Sequence, residues 1–496
     1  MNIIDHDLLS IQEARILIEN AREAQKVLAG FSQEKLDEIV DRMAEEVRKY
    51  AYELAEMSMD ETDYGKVQDK YLKNRFVCEY VPAKLKDIRC VGMINEDKEN
   101  KTMDIGVPMG VIVALSPATS PVSTTIYKAL IAIKSGNAIV FSPHPRAKQT
   151  IRRVLDILIK AAEGYGLPAG ALSYLSIVTV SGTKELMNHK ETSLVINTGV
   201  PGMLDAAYAS QKPVIYGGNG NGPVFIERTA DIKQAVKDII ASKTFDNGVV
   251  SASEQSVVVD GCIAKEVKEE FKNRGAYFMT DEESEKLVRI LFTPHGGTTS
   301  ETVGKTAFEI AKKAGFSVPE STTVLISERS YVCEVNPYAK EKLCPVLAYY
   351  IEDDWKHACE KCIELLLSQK NGHTLVIHSK DEDVIRQFAL KKPVGRVLVN
   401  TPASLGSIGA TTNLFPALTL GSGSAGHGMT SDNVSPMNLV YIRKVGYGVR
   451  RIENILDSAV VQDKNANENP LQAKNHGQEG MKALQSILEE FLKELK

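Results

Sequence analysis

VIVALSPATSPVSTTIYKALIAIKSGNAIVF, residues 111–141, is the stretch from which the fold class of this chain follows. Val111–Leu115 is a short apolar run, Ser123–Ser135 repeats apolar residues at helical spacing, and Ala138–Phe141 is a second short apolar run. A strand, a helix and a strand in this order form a crossover unit whose two strands lie parallel. The stretch therefore predicts a parallel β-sheet.

The same alternation continues on the C-terminal side of this stretch. It predicts a helix at Ala147–Glu163 and strands at Tyr174–Val178 and Leu194–Ile196. A second series follows Gln255, with strands predicted at Ser256–Val259, Thr323–Ile326, Pro345–Ile351, Thr374–Ile377 and Arg396–Val399 and helices at 264–273 and 353–368. Apolar strands separated by helices favour parallel sheets covered on both faces. We therefore expect an α/β fold with two such units.

The first 75 residues are predicted to be helical. Ser10 and Glu13 have the spacing of a capping box, in which each side chain bonds a free backbone N–H. Phe31, Ser32 and Leu36 have the spacing of a hydrophobic staple around a second N-cap. Apolar residues then recur at helical spacing. We interpret these helices as a packed layer without a catalytic role, because such periodicity reports burial.

Composition indicates an ordinary globular protein and argues against several classes of partner. A chain of 496 residues is long enough for about two or three domains. The net charge of -5 gives no reason to expect nucleic acid. No apolar run approaches the roughly 20 residues of a membrane helix, and Met1–Ser10 lacks a signal-peptide core. The seven scattered cysteines fit reduced thiols and a cytoplasmic location better than disulfides.

The C-terminus differs in character from the rest of the chain. Residues 452–480, which are strongly polar from Asp457 onwards, predict a flexible linker. In Met481–Lys496 the apolar residues fall on one helical stripe between lysines and glutamates. A short helix on a flexible tether needs a partner to bury such a stripe, either its own domain or subunit, or a groove on another protein. The segment resembles the encapsulation peptides that carry enzymes into bacterial microcompartments, which implies a shell protein as partner.

Eight segments identify a family when they are taken together and in order. They are Glu61–Gly65, Ser116–Pro121, Phe141–Lys148, Thr198–Gly202, Thr244–Gln255, Glu341–Pro345, Gly372–Thr374 and Asn400–Ser404. They resemble the CoA-acylating aldehyde dehydrogenases of the aldehyde dehydrogenase superfamily, and the resemblance extends from about Leu8 to Arg451. Thr244–Gln255, with the sequence TFDNGVVSASEQ, resembles the loop that carries the nucleophile in that family. We call it the nucleophile loop.

The resemblance implies a domain organisation. Residues 1–94 and 109–226 correspond to a Rossmann-like NAD-binding domain, and residues 227–429 to a Rossmann-like catalytic domain. Residues 95–108 and 430–451 correspond to a small β oligomerisation arm, which implies a homodimer or a homotetramer. The nucleophile is then expected in the crevice between the two α/β domains.

The resemblance also implies a reaction and the residues that perform it. In the family, a cysteine thiolate adds to an aldehyde, a hydride passes to NAD, and coenzyme A takes the acyl group from the resulting thioester. A backbone N–H and an asparagine side chain hold the oxyanion. In this chain the nucleophile position is Ser251 and the asparagine position is Ser120, while His373 corresponds to a residue near the site of CoA attack. A purely structural histidine is the alternative for His373.

A second set of residues is implied in nucleotide binding. By resemblance, Ser142, Pro143 and Lys148 border the adenosine ribose of NAD. Gly199 belongs to a loop that approaches the dinucleotide, and Glu341 faces the hydroxyls of the nicotinamide ribose. The segment from Ser142 follows a strand and precedes a helix, where open α/β sheets bind ligands; an ordinary connection is the alternative. We expect NAD as cofactor, coenzyme A as co-substrate, a short aldehyde as substrate and no metal.

Both catalytic positions depart from the family. A cysteine thiol has a pKa of about 8.5 and a nucleophilic thiolate, whereas a serine hydroxyl needs a neighbouring base. Serine at position 120 is too short to place an amide N–H where asparagine would, and no histidine flanks Ser251 in sequence. Transfer of an acyl group from an oxygen ester to a thiol is also uphill. The acyl-CoA-forming cycle is therefore predicted to be severely impaired.

Other positions also differ from the family, among them the segment Gly218–Asn221, where the family has Gly-Pro-Gly-Asn. Val200 stands where the family has a glycine, and Asp63 replaces the glycine of Glu-Thr-Gly. A deliberate Cys→Ser change would explain Ser251 but not Ser120 or Val200, so a naturally altered paralogue is favoured over a deliberate mutant or a repurposed enzyme. Two functions stay open: an impaired oxidoreductase, and a non-catalytic homologue with a role in assembly, cofactor binding or the organisation of a microcompartment.

Three shorter motifs carry no function in this interpretation. Gly421–Gly426 fits G-x-G-x-x-G, but the residues that follow it are predicted to form a turn or a strand instead of the phosphate-binding helix. Cys359 and Cys362 lie within a predicted helix and lack a second pair of ligands, which favours packing over zinc binding. Gly217–Gly222 lacks the Lys-Ser/Thr of a P-loop.

Overall fold

Parallel β-sheets flanked by helices make up most of the described chain, so the predicted α/β class is confirmed. This computed structural model describes residues 5–218, 220–293, 297–333, 337–369 and 372–453. The helices are α1 His6–Leu28, α2 Gln33–Arg48, α3 Ala51–Thr62, α4 Val67–Leu85, α5 Pro121–Lys134, α6 Lys148–Gly164, α7 Val180–Asn188, α8 Leu204–Ala209, α9 Ile232–Thr244, α10 Ala264–Asn273, α11 Asp281–Leu291, α12 Ala307–Ala314, α13 Trp355–Gln369, α14 Glu382–Leu390 and α15 Ala403–Gly406. The strands are β1 Gly92–Asp97, β2 Thr102–Pro108, β3 Val111–Leu115, β4 Ala138–Ser142, β5 Leu172–Tyr174, β6 Thr192–Thr198, β7 Val214–Gly217, β8 Pro223–Ile226, β9 Ser256–Asp260, β10 Ala276–Phe278, β11 Val324–Glu328, β12 Val346–Glu352, β13 Thr374–His378, β14 Arg396–Val399 and β15 Val440–Gly446.

Two parallel sheets organise the core. One has the strand order β5-β4-β3-β6-β7, and the other has the order β10-β11-β12-β9-β8-β13-β14. In the first sheet Val113 of β3 is level with Val140 of β4 and with Val195 of β6, and all three side chains are fully buried. Every residue of β3 and β4 is buried, because the sheet is covered on both faces. The unbroken apolar character of these strands follows from that burial.

A small sheet in the order β1-β2-β15 contains strands from the two segments that were expected to pair as an arm. The described chain divides into a larger unit, residues 5–94 and 105–443, and a smaller unit, residues 95–104 and 444–453. The two parallel sheets lie in the larger unit. In the smaller unit, Lys444 Nζ lies 2.7 Å from Asp104 Oδ1.

One predicted domain boundary is wrong. Residues up to 226 are predicted to belong to the first α/β domain, yet β8 lies between β9 and β13 in the second sheet. Val224 of β8 is level with Val257 on one side and with Val376 on the other. The chain therefore enters the second sheet before Pro223. A short apolar strand buried on both faces gives no sign in its sequence of which sheet it joins.

The capping box predicted at Ser10 is also wrong. The Asp5 carboxylate caps α1 by accepting from two N–H groups of the first turn, so Ser10 lies inside the helix. The buried Ser10 hydroxyl donates to the carbonyl of Ile177, and the Glu13 carboxylate accepts from the N–H groups of Ile177 and the residue before it, both at 2.9 Å. Because these N–H groups bond a carboxylate and not a neighbouring strand, β5 ends early and the strand predicted at 174–178 is wrong.

The second predicted helix start is confirmed. Ser32 is the N-cap of α2, and its hydroxyl accepts from the N–H of Lys35 at 3.3 Å. Phe31 packs half-buried against the core that contains Leu36. Among the helices described here, none combines the length and the apolar character needed to cross a bilayer. The predicted linker and terminal helix, residues 454–496, lie outside the described residues.

Candidate active site

A cleft in the larger unit brings together five of the candidate residues. Ser251, Ser120, His373, Gly199 and Glu341 all line it, and its volume is about 370 Å³. Its walls include the loops that follow β3, β6 and β7 and the nucleophile loop that precedes β9. These residues come from distant parts of the sequence, so the fold assembles them at the carboxyl edge of the first sheet, where open α/β sheets bind ligands.

The nucleophile loop is held in a constrained conformation. Asp246 and Asn247 have φ angles of 49° and 52°, in the left-handed region that aspartate and asparagine tolerate better than most residues with side chains. The Asn247 side chain donates to the carbonyl of Gly304 at 2.9 Å. A Cβ on Gly220 would lie 1.8 Å from the carbonyl oxygen of Ser251, so only glycine fits behind the loop. The backbone that carries Ser251 is therefore held in place by the hydrogen bond of Asn247 and by close packing against Gly220.

The Ser251 hydroxyl has no hydrogen bond to a base among the described residues. Glu254 is close in sequence, but its buried carboxylate accepts from the N–H of Ala403 at 2.9 Å and it does not line the cleft. Burial raises the pKa of Glu254 to about 7. Glu254, the acidic residue nearest to Ser251 in sequence, thus bonds the backbone at the start of α15 and is not placed to take a proton from Ser251.

His373 lines the same cleft but is held by its neighbours. Its Nδ1 lies 2.8 Å from Thr374 Oγ1, and the Arg396 guanidinium donates to its carbonyl oxygen at 2.7 Å. Burial, and then the charge of Arg396, lower the pKa of His373 well below its usual value. The imidazole is therefore neutral at physiological pH and a weak proton acceptor.

A buried ionic cluster beside the cleft was not predicted from the sequence. Lys73 Nζ donates to Ser120 Oγ at 2.6 Å and to Asp246 Oδ2 at 2.6 Å, and Lys70 Nζ donates to the same carboxylate oxygen at 3.1 Å. The two lysine side chains are 3% exposed and the aspartate is fully buried. The only sequence signal is that the lysines lie three residues apart, on one face of α4. Their common partner is in the nucleophile loop and is visible only in the fold.

The nicotinamide side of the predicted cofactor site is lined by Glu341 and Gly199. The Glu341 carboxylate accepts from the N–H of Gly220 at 2.8 Å, and burial raises its pKa to about 7. Gly199 has a φ of +62°, and a Cβ there would lie 3.0 Å from the Cβ of Pro117. Gly199 and Glu341 line the same cleft. The glycine backbone fits the close approach of a dinucleotide, and the carboxylate fits the binding of ribose hydroxyls.

The adenosine side is less directly connected to the cleft. Ser142 ends β4, and its hydroxyl lies 2.7 Å from Thr183 Oγ1, with either oxygen as donor. Pro143 is buried, and Lys148 is half-buried at the start of α6. None of these three residues lines the cleft, whereas His144 between them does. The strand–helix connection is in the expected place, and the roles of its residues stay predictions.

Comparison with known proteins agrees with this arrangement. The sequence profile of the aldehyde dehydrogenase family matches residues 3–290, which is more than half of the chain. The chain belongs to the aldehyde dehydrogenase family. Relatives of the chain include an acetylating succinate-semialdehyde dehydrogenase of Clostridium kluyveri, 33% identical over 88% of this chain and 96% of the relative. An acylating sulfoacetaldehyde dehydrogenase of Bilophila wadsworthia is 31% identical over 84% of this chain and 91% of the relative. The homologues of this chain are thus CoA-acylating aldehyde dehydrogenases.

Individual relatives extend the match beyond residue 290. The bifunctional aldehyde-alcohol dehydrogenase AdhE of Escherichia coli is 41% identical over 452 residues, 90% of this chain and 50% of the relative. The chain therefore spans about half the length of the aldehyde-alcohol dehydrogenases it matches. A crystal structure of a probable aldehyde dehydrogenase from Listeria monocytogenes is 49% identical, with a TM-score of 0.89, over 91% of this chain and 100% of that one. A propionaldehyde dehydrogenase from a Clostridium phytofermentans fucose utilisation bacterial microcompartment is 30% identical, with a TM-score of 0.78, over 88% of this chain and 97% of that one.

The structure accommodates Val200 and Asp63, two other positions at which the sequence predicts a departure from the family. Val200 has a φ of -123°, which any residue adopts, and it packs half-buried against the core. Asp63 is the C-cap of α3 with a φ of 57°, the left-handed position that a glycine usually occupies. Its carboxylate pairs with Lys305 at 2.5 Å. Neither substitution closes the cleft.

Proposed function

We propose that this chain is a nicotinamide-dinucleotide-binding aldehyde dehydrogenase of the CoA-acylating type whose acyl-CoA-forming cycle is severely impaired. One observation carries the proposal: a serine hydroxyl, and not a thiol, lines the catalytic cleft at the nucleophile position, without a bonded base among the described residues. A hydroxyl without a base is a poor nucleophile near neutral pH, whereas a thiol ionises with a pKa of about 8.5.

The second half-reaction adds to the impairment. If Ser251 formed an acyl ester, coenzyme A would have to convert this oxygen ester into a thioester. The thioester is the higher-energy species, so the transfer is uphill. The neutral, buried His373 offers no strong base to deprotonate the incoming thiol. Both the attack on the aldehyde and the release of the acyl group are therefore expected to be slow.

Cofactor binding is proposed to survive these substitutions. A bound NAD supplies the hydride acceptor for the oxidation. Glu341 would hold ribose hydroxyls through its cleft-lining carboxylate, while the backbone of Gly199 would lie against the dinucleotide. Ser142, Pro143 and Lys148 would border the adenosine ribose from the β4–α6 connection. Neither Ser251 nor Ser120 is needed for this binding.

The direct test compares the native chain with Ser251→Cys and with Ser251→Ala as the matched inert control. Each protein is given propionaldehyde, NAD and coenzyme A, and NADH formation is followed by absorbance; NAD affinity is measured separately. We expect all three to bind NAD, and only Ser251→Cys to turn over at rates on the order of 1 s⁻¹ or faster. Turnover by the native chain at such rates would contradict the impairment, and loss of NAD binding would contradict the cofactor proposal.

The alternative function has its own outcome in this experiment. If Ser251→Cys binds NAD but forms no NADH, the cleft has lost more than its nucleophile. The chain would then be a non-catalytic homologue that is retained for cofactor binding or assembly.

Assembly is a separate part of the proposal. We expect a homodimer or a homotetramer formed through the arm of residues 95–108 and 430–451, and a location in the cytoplasm or inside a bacterial microcompartment. The apolar stripe of Met481–Lys496 would bind a shell protein, and a structural neighbour at 30% identity comes from such a compartment. Deletion of residues 481–496 should abolish co-purification with shell proteins and leave NAD affinity unchanged. Unaltered shell association after the deletion would contradict the encapsulation role.

A further inference from the structure

Ser120, in the loop that precedes α5, does not cap the helix with its side chain. Ser120 is the N-cap residue of α5, and a serine there ordinarily accepts from an N–H group of the first turn. Its side chain makes no such bond; its oxygen instead accepts from Lys73 Nζ at 2.6 Å. The hydroxyl hydrogen of Ser120 is therefore available for donation, and Ser120 lines the cleft that Ser251 also lines.

The ammonium group of Lys73 lies beside this loop in a buried cluster of charged side chains. Lys73 and Lys70 share one carboxylate oxygen of Asp246, and Lys70 also donates to the carbonyl of Thr119 at 3.2 Å. Asp69 faces the nucleophile loop, where its carboxylate accepts from the N–H of Asp246 at 2.7 Å. Burial lowers the pKa of Lys70 to about 8, so this ammonium is still mostly charged near neutral pH. Two buried ammonium groups thus face one fully buried carboxylate.

A serine hydroxyl that accepts from an ammonium group is a stronger donor than an isolated one. Hydrogen bonds that involve a charged partner are roughly twice as strong as neutral ones, and linked hydrogen bonds polarise one another in a low-dielectric interior. An oxyanion that develops in the cleft would meet this donor and the positive field behind it. The arrangement has the two properties that an oxyanion site requires, a preorganised donor and a charge of the right sign.

We propose that Lys73 and Ser120 together form the side-chain oxyanion donor of this cleft: Ser120 donates its hydroxyl hydrogen to the oxyanion, and Lys73 is the positioning residue that orients and polarises it. The inference deepens the proposed function, because it applies to the same cleft and the same reaction. It also predicts that replacement of the nucleophile alone restores turnover, since the oxyanion site needs no repair.

The test is a double-mutant cycle in the Ser251→Cys background. Ser120→Ala and Lys73→Met are made singly and together, and kcat/KM for propionaldehyde is compared with that of the parent. We expect each single change to lower kcat/KM by about 10²-fold, the usual effect of losing one oxyanion donor. The double variant should be no worse than either single one, because the two residues act as a unit. Multiplied losses in the double variant would overturn the proposal.

A rescue distinguishes a polarising role from a merely structural one. Ser120→Asn supplies an amide donor that does not depend on the lysine, so Lys73→Met in that background should lower kcat/KM by much less than the loss of about 10²-fold expected in the serine background. Lys70→Met is the matched control: it removes a buried cation from the same carboxylate without touching Ser120, and its effect should be the same whether residue 120 is serine or alanine. An equal loss from Lys73→Met in the serine and asparagine backgrounds would contradict the proposal.

The failure of this inference is distinguishable from the failure of the proposed function. A Ser251→Cys protein that turns over, but whose kcat/KM is unchanged by Ser120→Ala or by Lys73→Met, overturns the Lys73–Ser120 donor and leaves the proposed function standing. A Ser251→Cys protein that binds NAD but does not turn over overturns both the donor and the catalytic function, and it favours the non-catalytic homologue. Rapid turnover by the native chain overturns the impairment, and the double-mutant cycle can then be measured directly on Ser251.

Discussion

The strongest prediction on stability concerns Asp246→Asn. The Asp246 carboxylate is fully buried, and its Oδ2 lies 2.6 Å from Lys73 Nζ and 3.1 Å from Lys70 Nζ. Removing one partner from a buried ion pair costs about 3–5 kcal/mol, because the remaining charge stays buried and unpaired. We therefore expect the free energy of unfolding to fall by about that amount.

The substitution isolates the charge from other effects. Asparagine adopts the left-handed backbone as readily as aspartate does, so the φ of 49° adds no cost. Its side-chain oxygen can still accept from the N–H of Lys66, which bonds Asp246 Oδ1 at 2.6 Å. What changes is Oδ2, which becomes an NH₂ donor that faces two ammonium donors.

The pH dependence gives the prediction a second, independent part. The folded pKa of Lys70 is about 8, below its usual value, and loss of the carboxylate lowers it further. A depressed lysine pKa destabilises the fold at every pH below the unfolded-state pKa, and the penalty reaches its full size once the pH is below the folded pKa. The further depression in Asp246→Asn therefore adds a penalty only below about pH 8. The difference between the native chain and Asp246→Asn should therefore be largest near pH 6 and become smaller above pH 8.

Chemical unfolding at pH 6 and pH 9, followed by circular dichroism, measures both parts. The control is Glu46→Gln, which removes an ion pair with Lys49 of the same 2.6 Å length whose side chains are 37% and 65% exposed. An exposed pair contributes less than about 1 kcal/mol, so the control should be nearly neutral. If Asp246→Asn costs no more than the control, or if its cost does not change with pH, the reasoning from burial is wrong.

Three further predictions rest on other contacts. NAD affinity of the native chain should rise between pH 6 and pH 8, because the Glu341 carboxylate ionises with a pKa of about 7, and Glu341→Gln should abolish this rise. If the pH profile in a fluorescence titration is the same for both proteins, the ribose contact is contradicted. Gly220→Ala should lower the unfolding midpoint strongly, because its Cβ would overlap the carbonyl of Ser251, while Gly164→Ala, with nothing within 4 Å of the added Cβ, should be neutral or slightly stabilising. Ser10→Ala should cost about 1 kcal/mol by removing a buried hydrogen bond between α1 and the segment before α7, and a neutral result in urea unfolding would contradict that link.

The fold class and much of its element order could be predicted from the sequence for a local reason. Strands buried on both faces consist of unbroken apolar residues, and helices against a sheet repeat apolar residues every three or four positions, so each element reports its own burial. The strand at Val111–Leu115 and the helix at Ala264–Asn273 have the predicted bounds. The ordered motifs likewise predicted that Ser120 and Ser251 belong to one site, and both residues line the same cleft.

Only the tertiary structure decided which distant polar groups meet. Glu13 bonds the backbone beyond β5 and so ends that strand, β8 joins the second sheet, and Lys73 reaches Asp246 across 173 positions of sequence. Hydrophobic periodicity records how deeply a residue is buried but not which donor or acceptor it finds there. That choice depends on the closure of long loops, and a buried ammonium or carboxylate reaches a partner only once the whole chain has packed.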